Sequence, residues 1–243
     1  MIKKLTIALA MGVMALSPLA QAQNQDEKIN EIVEMLKANP SVVDGLHESL
    51  GMYVKQQQQF DQLLSSSQAY INDPKHTSIG AENAELTLVN VTDYSCPYCK
   101  KLDLELQKLV EDYPQIKVVN LYVPLKEGSS SVNSAGYALN VWQNARDKYP
   151  QVHELLVAKP GTHDAISLAK IAKKTGTEQY LNNPEDIEKQ LENNYVLFNG
   201  FGLRGTPALI VGESVIPGYV PYDKLEEIVE KQLLSLIHIS EPT

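Results

Sequence analysis

Only two cysteines occur in the 243 residues, Cys96 and Cys99. Two positions so close together staple nothing at long range, which excludes a disulfide-scaffold fold. Histidine pairs are missing too: His47, His76, His153, His163 and His238 have no ligand-like spacing. A zinc site at the cysteines would need two more ligands, so neither metal nor cofactor is expected. Basic residues are in deficit, 21 Lys plus Arg against 30 Asp plus Glu, for a formal charge of -9. Proteins that grip phosphate backbones carry the opposite sign, so no nucleic-acid partner is expected. Beyond Ala20 no stretch approaches about 18 consecutive apolar residues, which leaves no further candidate for a membrane span. No internal repeat is visible. What remains is an ordinary globular composition, 43% apolar and 21% charged, able to form a packed core.

The first residues have the pattern of an export signal. Lys3 and Lys4 precede an apolar run from Leu5 to Ala20, and Ala20-Gln21-Ala22 offers a small-x-small cleavage site. Pro18 and the shortness of the run argue against a permanent anchor, so residues 1–22 read as a signal peptide cleaved after Ala22. The dilysine start suggests bacterial export to the periplasm, where disulfides persist.

Residues 23–75 read as a helical oligomerisation region, broken at Pro40 and closed by Asn72-Asp73-Pro74. Val43, Leu46, Leu50, Tyr53, Gln57, Phe60 and Leu64 alternate at spacings of three and four, a heptad seam with one polar member. Such a seam predicts a homo-oligomer; the competing reading is a face packed on the domain behind it. Residues 82–234 alternate strand and helix. A strand from Leu86 to Thr92, a helix opened by Cys96-Pro97-Tyr98-Cys99 and a strand from Ile116 to Val123 form a βαβ unit with parallel strands. Several helices fill a stretch of about 130–182, and another runs from Pro184 to about Phe198. Two short strands then turn at Gly212-Glu213, before a last helix from Pro221 to about Leu233. Residues 235–243, Ser-Leu-Ile-His-Ile-Ser-Glu-Pro-Thr, break that helix pattern and read as a non-native tail.

The chemistry sits at the two cysteines. Thiols at i and i+3 on the first helical turn face the same way and can close a small disulfide ring. The first lies over the helix N-terminus, where free N–H groups and the macrodipole favour a thiolate. Pro97 supplies a preset φ at no cost in helix hydrogen bonds. Cys96 is therefore expected to be the exposed nucleophile, titrating at roughly pKa 4 to 6. Cys99, one turn inside, is the buried resolving thiol. An inert structural disulfide or a metal site are the rival readings. Gly205-Thr206-Pro207 directly precedes a strand, where a proline belongs at the first residue. A cis bond there would leave the Thr206 backbone free for an extended peptide.

Asp93-Tyr94-Ser95-Cys96-Pro97-Tyr98-Cys99-Lys100, followed by Gly202-Leu203-Arg204-Gly205-Thr206-Pro207, resembles the DsbA family of thiol–disulfide oxidoreductases. Lys148-Tyr149 with His153 is similar to that family's helical insertion, and Ile216-Pro217-Gly218-Tyr219 to its closing strand and turn. The added N-terminal region resembles oligomeric, ScsC-like branches. The resemblance implies an α/β thioredoxin fold with an inserted helical domain. It also implies a catalytic Cys96–Cys99 pair supported by Pro97, Tyr98, Thr206 and a cis Pro207. Two departures stand out. Many members carry an acid six positions before the first cysteine, where this chain has Asn90, and the strongest oxidases have His where this chain has Tyr98. Three functions compete: an isomerase or reductase acting on cysteines of exported proteins, a dithiol oxidase, and an oligomeric envelope protein that binds clients. Each redox reading implies a membrane or periplasmic redox partner.

Overall fold

A computed structural model describes residues 18–128 and 132–240. The dilysine start and most of the apolar run of the expected signal peptide lie outside the described residues, as do the last three residues of the expected tail. The chain divides into two units, Met1–Gln57 and Gln58–Thr243.

In the first unit, helix α1 (Pro18–Ala38) gives way to a 3-10 turn at Pro40–Val42 and then to helix α2 (Val43–Ile71), which runs on into the second unit. The break falls where Pro40 removes a donor and restricts Asn39. Of the predicted seam, Val43, Leu46, Leu50 and Tyr53 are 39 to 65% exposed. The seam does not continue as expected. Phe60 and Leu64 face inward, buried with Ile71 against Leu197, Phe198 and Phe201 of the second unit. The Phe60 and Phe201 rings sit 5.3 Å apart. These aromatic and aliphatic faces bury more apolar surface against the sheet's covering helix than an exposed seam would, so residues 58–71 belong to the second unit.

The second unit is a five-stranded sheet in the order β1-β3-β2-β4-β5. Its strands are β1 (Thr77–Gly80), β2 (Leu86–Thr92), β3 (Ile116–Tyr122), β4 (Ala208–Val211) and β5 (Ser214–Pro217). β2 and β3 are parallel, as the βαβ pattern requires, and the other pairings are antiparallel. Alternate residues feed two cores. Leu88, Val118 and Leu209 pack with helices α3 (Pro97–Asp112) and α8 (Tyr222–Ser240) on one face. Val89, Val119 and Ile210 pack with α2 and α7 (Glu185–Gly200) on the other. Burial on both faces explains the nearly continuous apolar runs of β2 and β3.

Three features differ from the sequence reading. The four-residue strand β1 was not expected. It pairs along the edge of β3, and Gly80 ends it with φ 90, where a Cβ would lie 2.3 Å from the Ile116 carbonyl oxygen. Helix α8 continues through the supposed tail to Ser240, because no glycine or proline interrupts residues 235–240. Pro184 caps α7 from outside rather than entering its first turn. The hairpin at Gly212 is as predicted, with φ 57 supplied by the glycine.

Helices α4 (Ser134–Asn144), α5 (Tyr149–Ala158) and α6 (Ala165–Thr175) form the insertion. Their core of Tyr137, Leu139, Val152, Leu156 and Leu168 also takes in Tyr94 and Tyr122. The insertion thus packs directly on the loop that leads to Cys96.

Candidate active site

β2 ends at Thr92, and Asp93-Tyr94-Ser95 turns the chain into α3. Cys96 caps that helix with extended backbone angles, φ -92 and ψ 122, and Pro97 takes a first-turn position. The Cys96 N–H donates to the Asp93 carbonyl at 3.0 Å, and the Lys100 N–H to the Cys96 carbonyl at 3.2 Å. From the neighbouring strand, the segment before β4 brings in a cis Thr206–Pro207 bond. The Cys96 thiol donates to the Thr206 carbonyl at 3.3 Å. The structure therefore gathers Cys96, Pro97, Cys99, Thr206 and Pro207 at one place, about a hundred residues apart in sequence. Tyr98 stands at the rim, 60% exposed.

Cys96 is less open than expected. Only 4% of its surface is exposed, because its sulfur is tucked beneath the Thr206 carbonyl. That carbonyl is consequently occupied while Cys96 is a neutral thiol. The two thiols titrate far apart. A hydrogen bond from Cys99 holds Cys96 down to about 5 against the burial that opposes ionisation, and the Cys99 and Tyr98 backbones contribute. Burial pushes Cys99 well above the usual thiol range, and its bond to Cys96 adds to this. Once ionised, Cys96 can no longer donate, so the Thr206 carbonyl is released as the Cys96 thiolate accepts from Cys99 instead.

A polar frame that the sequence reading missed holds the loop. The fully buried Asp93 carboxylate accepts from the Ser95 N–H at 2.8 Å and the Lys126 N–H at 2.9 Å. Burial raises its pKa. Ser95 Oγ donates to Glu127 at 2.5 Å and accepts from the His163 N–H at 2.8 Å. Glu127 also accepts from the Ser134 N–H at the start of α4, at 2.7 Å. The Lys100 ammonium donates to the carbonyls of Lys159 and Gly161 in the loop before α6. Asp93, Ser95 and Lys100 sit beside the cysteines in sequence and were within reach of inspection. Glu127 and His163 were not, since long-range packing alone brings them in.

Asn90 lies in register with Asn120 on the parallel strand and donates to its side-chain oxygen at 2.8 Å. Asn120 continues to Thr77, and Thr77 to the Tyr122 hydroxyl. Tyr122, Tyr94 and Tyr149 share hydroxyl contacts, and Tyr94 Oη reaches His153 Nδ1 at 2.6 Å. His153 Nε2 lies 3.2 Å from Asp103. An amide chain thus occupies the interior position where the DsbA pattern often has a carboxylate. Among the described residues, no cluster of three or more His, Cys, Asp or Glu side chains is arranged to hold a metal ion.

Comparison with known proteins agrees with this geometry. A thioredoxin family model matches residues 72–231. Disulfide bond formation protein D of Bacillus subtilis is 28% identical over 169 residues, covering 64% of this chain and 76% of that protein. A linker-deletion variant of Proteus mirabilis ScsC superposes with TM-score 0.69 at 31% identity, covering 92% of this chain and all of that one. A periplasmic thioredoxin-like protein from Salmonella enterica serovar Typhimurium gives TM-score 0.62 at 40% identity, covering 67% of this chain and 92% of the other.

Proposed function

This chain belongs to the thioredoxin family, in its DsbA- and ScsC-type branch of thiol–disulfide oxidoreductases, and from that premise we propose an isomerase- or reductase-type enzyme of the periplasm. Cys96 is the attacking thiolate and Cys99 the resolving thiol; the substrates are cysteines of exported proteins. Tyr98, Pro97, Thr206 and Pro207 shape the approach. The observation that carries the reading is the asymmetry of the pair: Cys96 is held down to about 5 while burial raises Cys99. Such a pair presents one thiolate at neutral pH and keeps the second thiol protonated until it is needed. Periplasmic action is supported by the signal-like start and by the description of the Salmonella relative. Isomerase action is supported by the exposed apolar side chains of Val43, Leu46, Leu50 and Tyr53, which suit a homo-oligomer with several active sites around one client. A membrane or periplasmic redox partner keeps the pair reduced.

Two measurements test this together. Thiolate absorbance of the reduced protein should titrate with a midpoint near 5, and a midpoint at the ordinary thiol value would remove the basis for Cys96 as nucleophile. With scrambled ribonuclease, Cys96→Ser should be inactive and Cys99→Ser should accumulate mixed disulfides through Cys96. Normal activity in both variants would refute the assignment.

A further inference from the structure

Closing the Cys96–Cys99 disulfide requires Cys99 to lose its proton, yet Cys99 is only 2% exposed. The neighbouring interior position that might have held an acid is Asn90, an amide engaged with Asn120. Beside Cys99 there is, however, a small cavity with about 10 Å³ of room, enough for about one water molecule. Asp93, Tyr94, Lys100, Asp103 and His153 are among its walls.

These groups are not equivalent. Burial raises Tyr94 and Tyr122 well above the usual phenol value, so both remain hydroxyl donors. Asp93 already accepts two backbone N–H groups and does not line the open groove that His153 reaches. Lys100 is committed to two carbonyls. Of these groups Lys100 and His153 also line the open groove walled by Lys101, Leu104, Gln107 and Glu154; Lys100 keeps its ammonium on the two carbonyls, whereas His153 is held by a carboxylate. Its Nε2 lies 3.2 Å from the Asp103 carboxylate, which as an acceptor fixes the proton on Nε2. Nδ1 is then the basic nitrogen, and it accepts from Tyr94 Oη at 2.6 Å.

We propose that His153, held by Asp103, carries the Cys99 proton to and from solvent through a water in this cavity and the Tyr94 hydroxyl. The inference rests on the reading of Cys96 and Cys99 as the exchanging pair. In the closing step the Cys99 sulfur bonds to the Cys96 sulfur, the bond between Cys96 and substrate sulfur breaks, and the substrate leaves as a thiolate with the electron pair. The Cys99 proton passes to the water and on to Tyr94 Oη, as Tyr94's own proton moves to His153 Nδ1. The imidazolium, facing Asp103, then releases a proton to the groove. The reverse direction returns a proton to Cys99 by the same path. The charged and titratable groups facing His153 are Asp103 and Lys100 from α3, Tyr94 from the loop after β2, Tyr122 from β3, and Tyr149 and Glu154 from its own helix.

The test mixes full-length reduced protein with oxidised glutathione between about pH 5 and 8, with acid quenching and mass detection of the mixed disulfide and the closed form. His153→Gln and Asp103→Asn should form the mixed disulfide at the wild-type rate but close it at least about tenfold more slowly, with a flattened pH dependence of closing. Wild-type closing kinetics in both variants would overturn the proposal, as would equal slowing of both steps, which marks a merely structural role. A flattened profile in Asp93→Asn with a normal one in His153→Gln would overturn it in favour of Asp93. Cys99→Ser separates the two levels: if it fails to stop at the mixed disulfide, the exchange reading itself is wrong.

Discussion

Two buried imidazoles set the acid limit of this fold. His76 is 2% exposed and His163 4%, and burial lowers both from 6.5 to about 4. In the unfolded chain each takes up a proton as pH falls through 6.5, whereas the folded chain binds it only near 4. The unfolded state therefore holds more protons across that window, and stability falls with falling pH, by on the order of 3 kcal/mol for each histidine. Asp93 acts in the opposite sense, since its raised pKa means that acid relieves a strained charge in the folded state. Urea unfolding midpoints should drop steeply between about pH 6.5 and 4, and His76→Gln should reduce the slope. An unchanged slope in that variant would mean that His76 is accessible to protons in the folded state. Nothing local in the sequence distinguishes these two from His47. The cysteines were legible because their chemistry lies within four residues; the histidines acquire theirs from elements brought in by the fold.

Helix α2 carries the same lesson at the next scale. Its apolar spacing is regular from Val43 to Leu64, and spacing reports a face without saying what covers it. The first half of that face is exposed, while Phe60 and Leu64 are each 8% exposed within the catalytic core. Phe60→Ala should therefore cost about 3 kcal/mol of stability, the usual loss for a buried aromatic. Leu50→Ala should leave the unfolding free energy of the catalytic unit nearly unchanged and weaken self-association instead. Denaturation monitored together with light scattering separates the two, and a large loss of catalytic-unit stability from Leu50→Ala would contradict this division of the helix. Strands β2 and β3 and helix α3 were readable because long apolar runs and a striped helix leave one interpretation. Strand β1 was not, since four residues at a sheet edge carry no period, and Gly80 is explained only by the carbonyl of Ile116. The end of α8 differs for another reason: the unusual composition of the last residues suggests a structural break, although no glycine or proline in residues 235–240 stops a helix.

For the molecule as a whole, the position of the cut between its parts decides what a truncation tests. The family match begins at residue 72, and the helical pattern alone would also put the boundary near there. The contacts place it at Gln57. A chain beginning at residue 72 lacks Phe60, Leu64 and Ile71, and so uncovers Leu197, Phe198 and Phe201 on one face of the sheet layer. Losing three large buried side chains costs several kcal/mol, a large part of what an ordinary domain has to spare. Residues 58–243 keep that face closed and should fold as a stable monomer that still exchanges disulfides through Cys96. Residues 72–243 should aggregate or unfold at low denaturant, so a loss of activity there says nothing about oligomerisation. The informative comparison is full-length protein against residues 58–243. If several tethered active sites are what make the protein an isomerase, the shorter chain should lose ribonuclease isomerisation and keep or gain dithiol oxidation, because the next thiol exchange no longer benefits from a second site at high effective concentration. Light scattering alongside both assays settles it: a full-length monomer, or a 58–243 chain with undiminished isomerase activity, would transfer the function to the single active site and favour the oxidase.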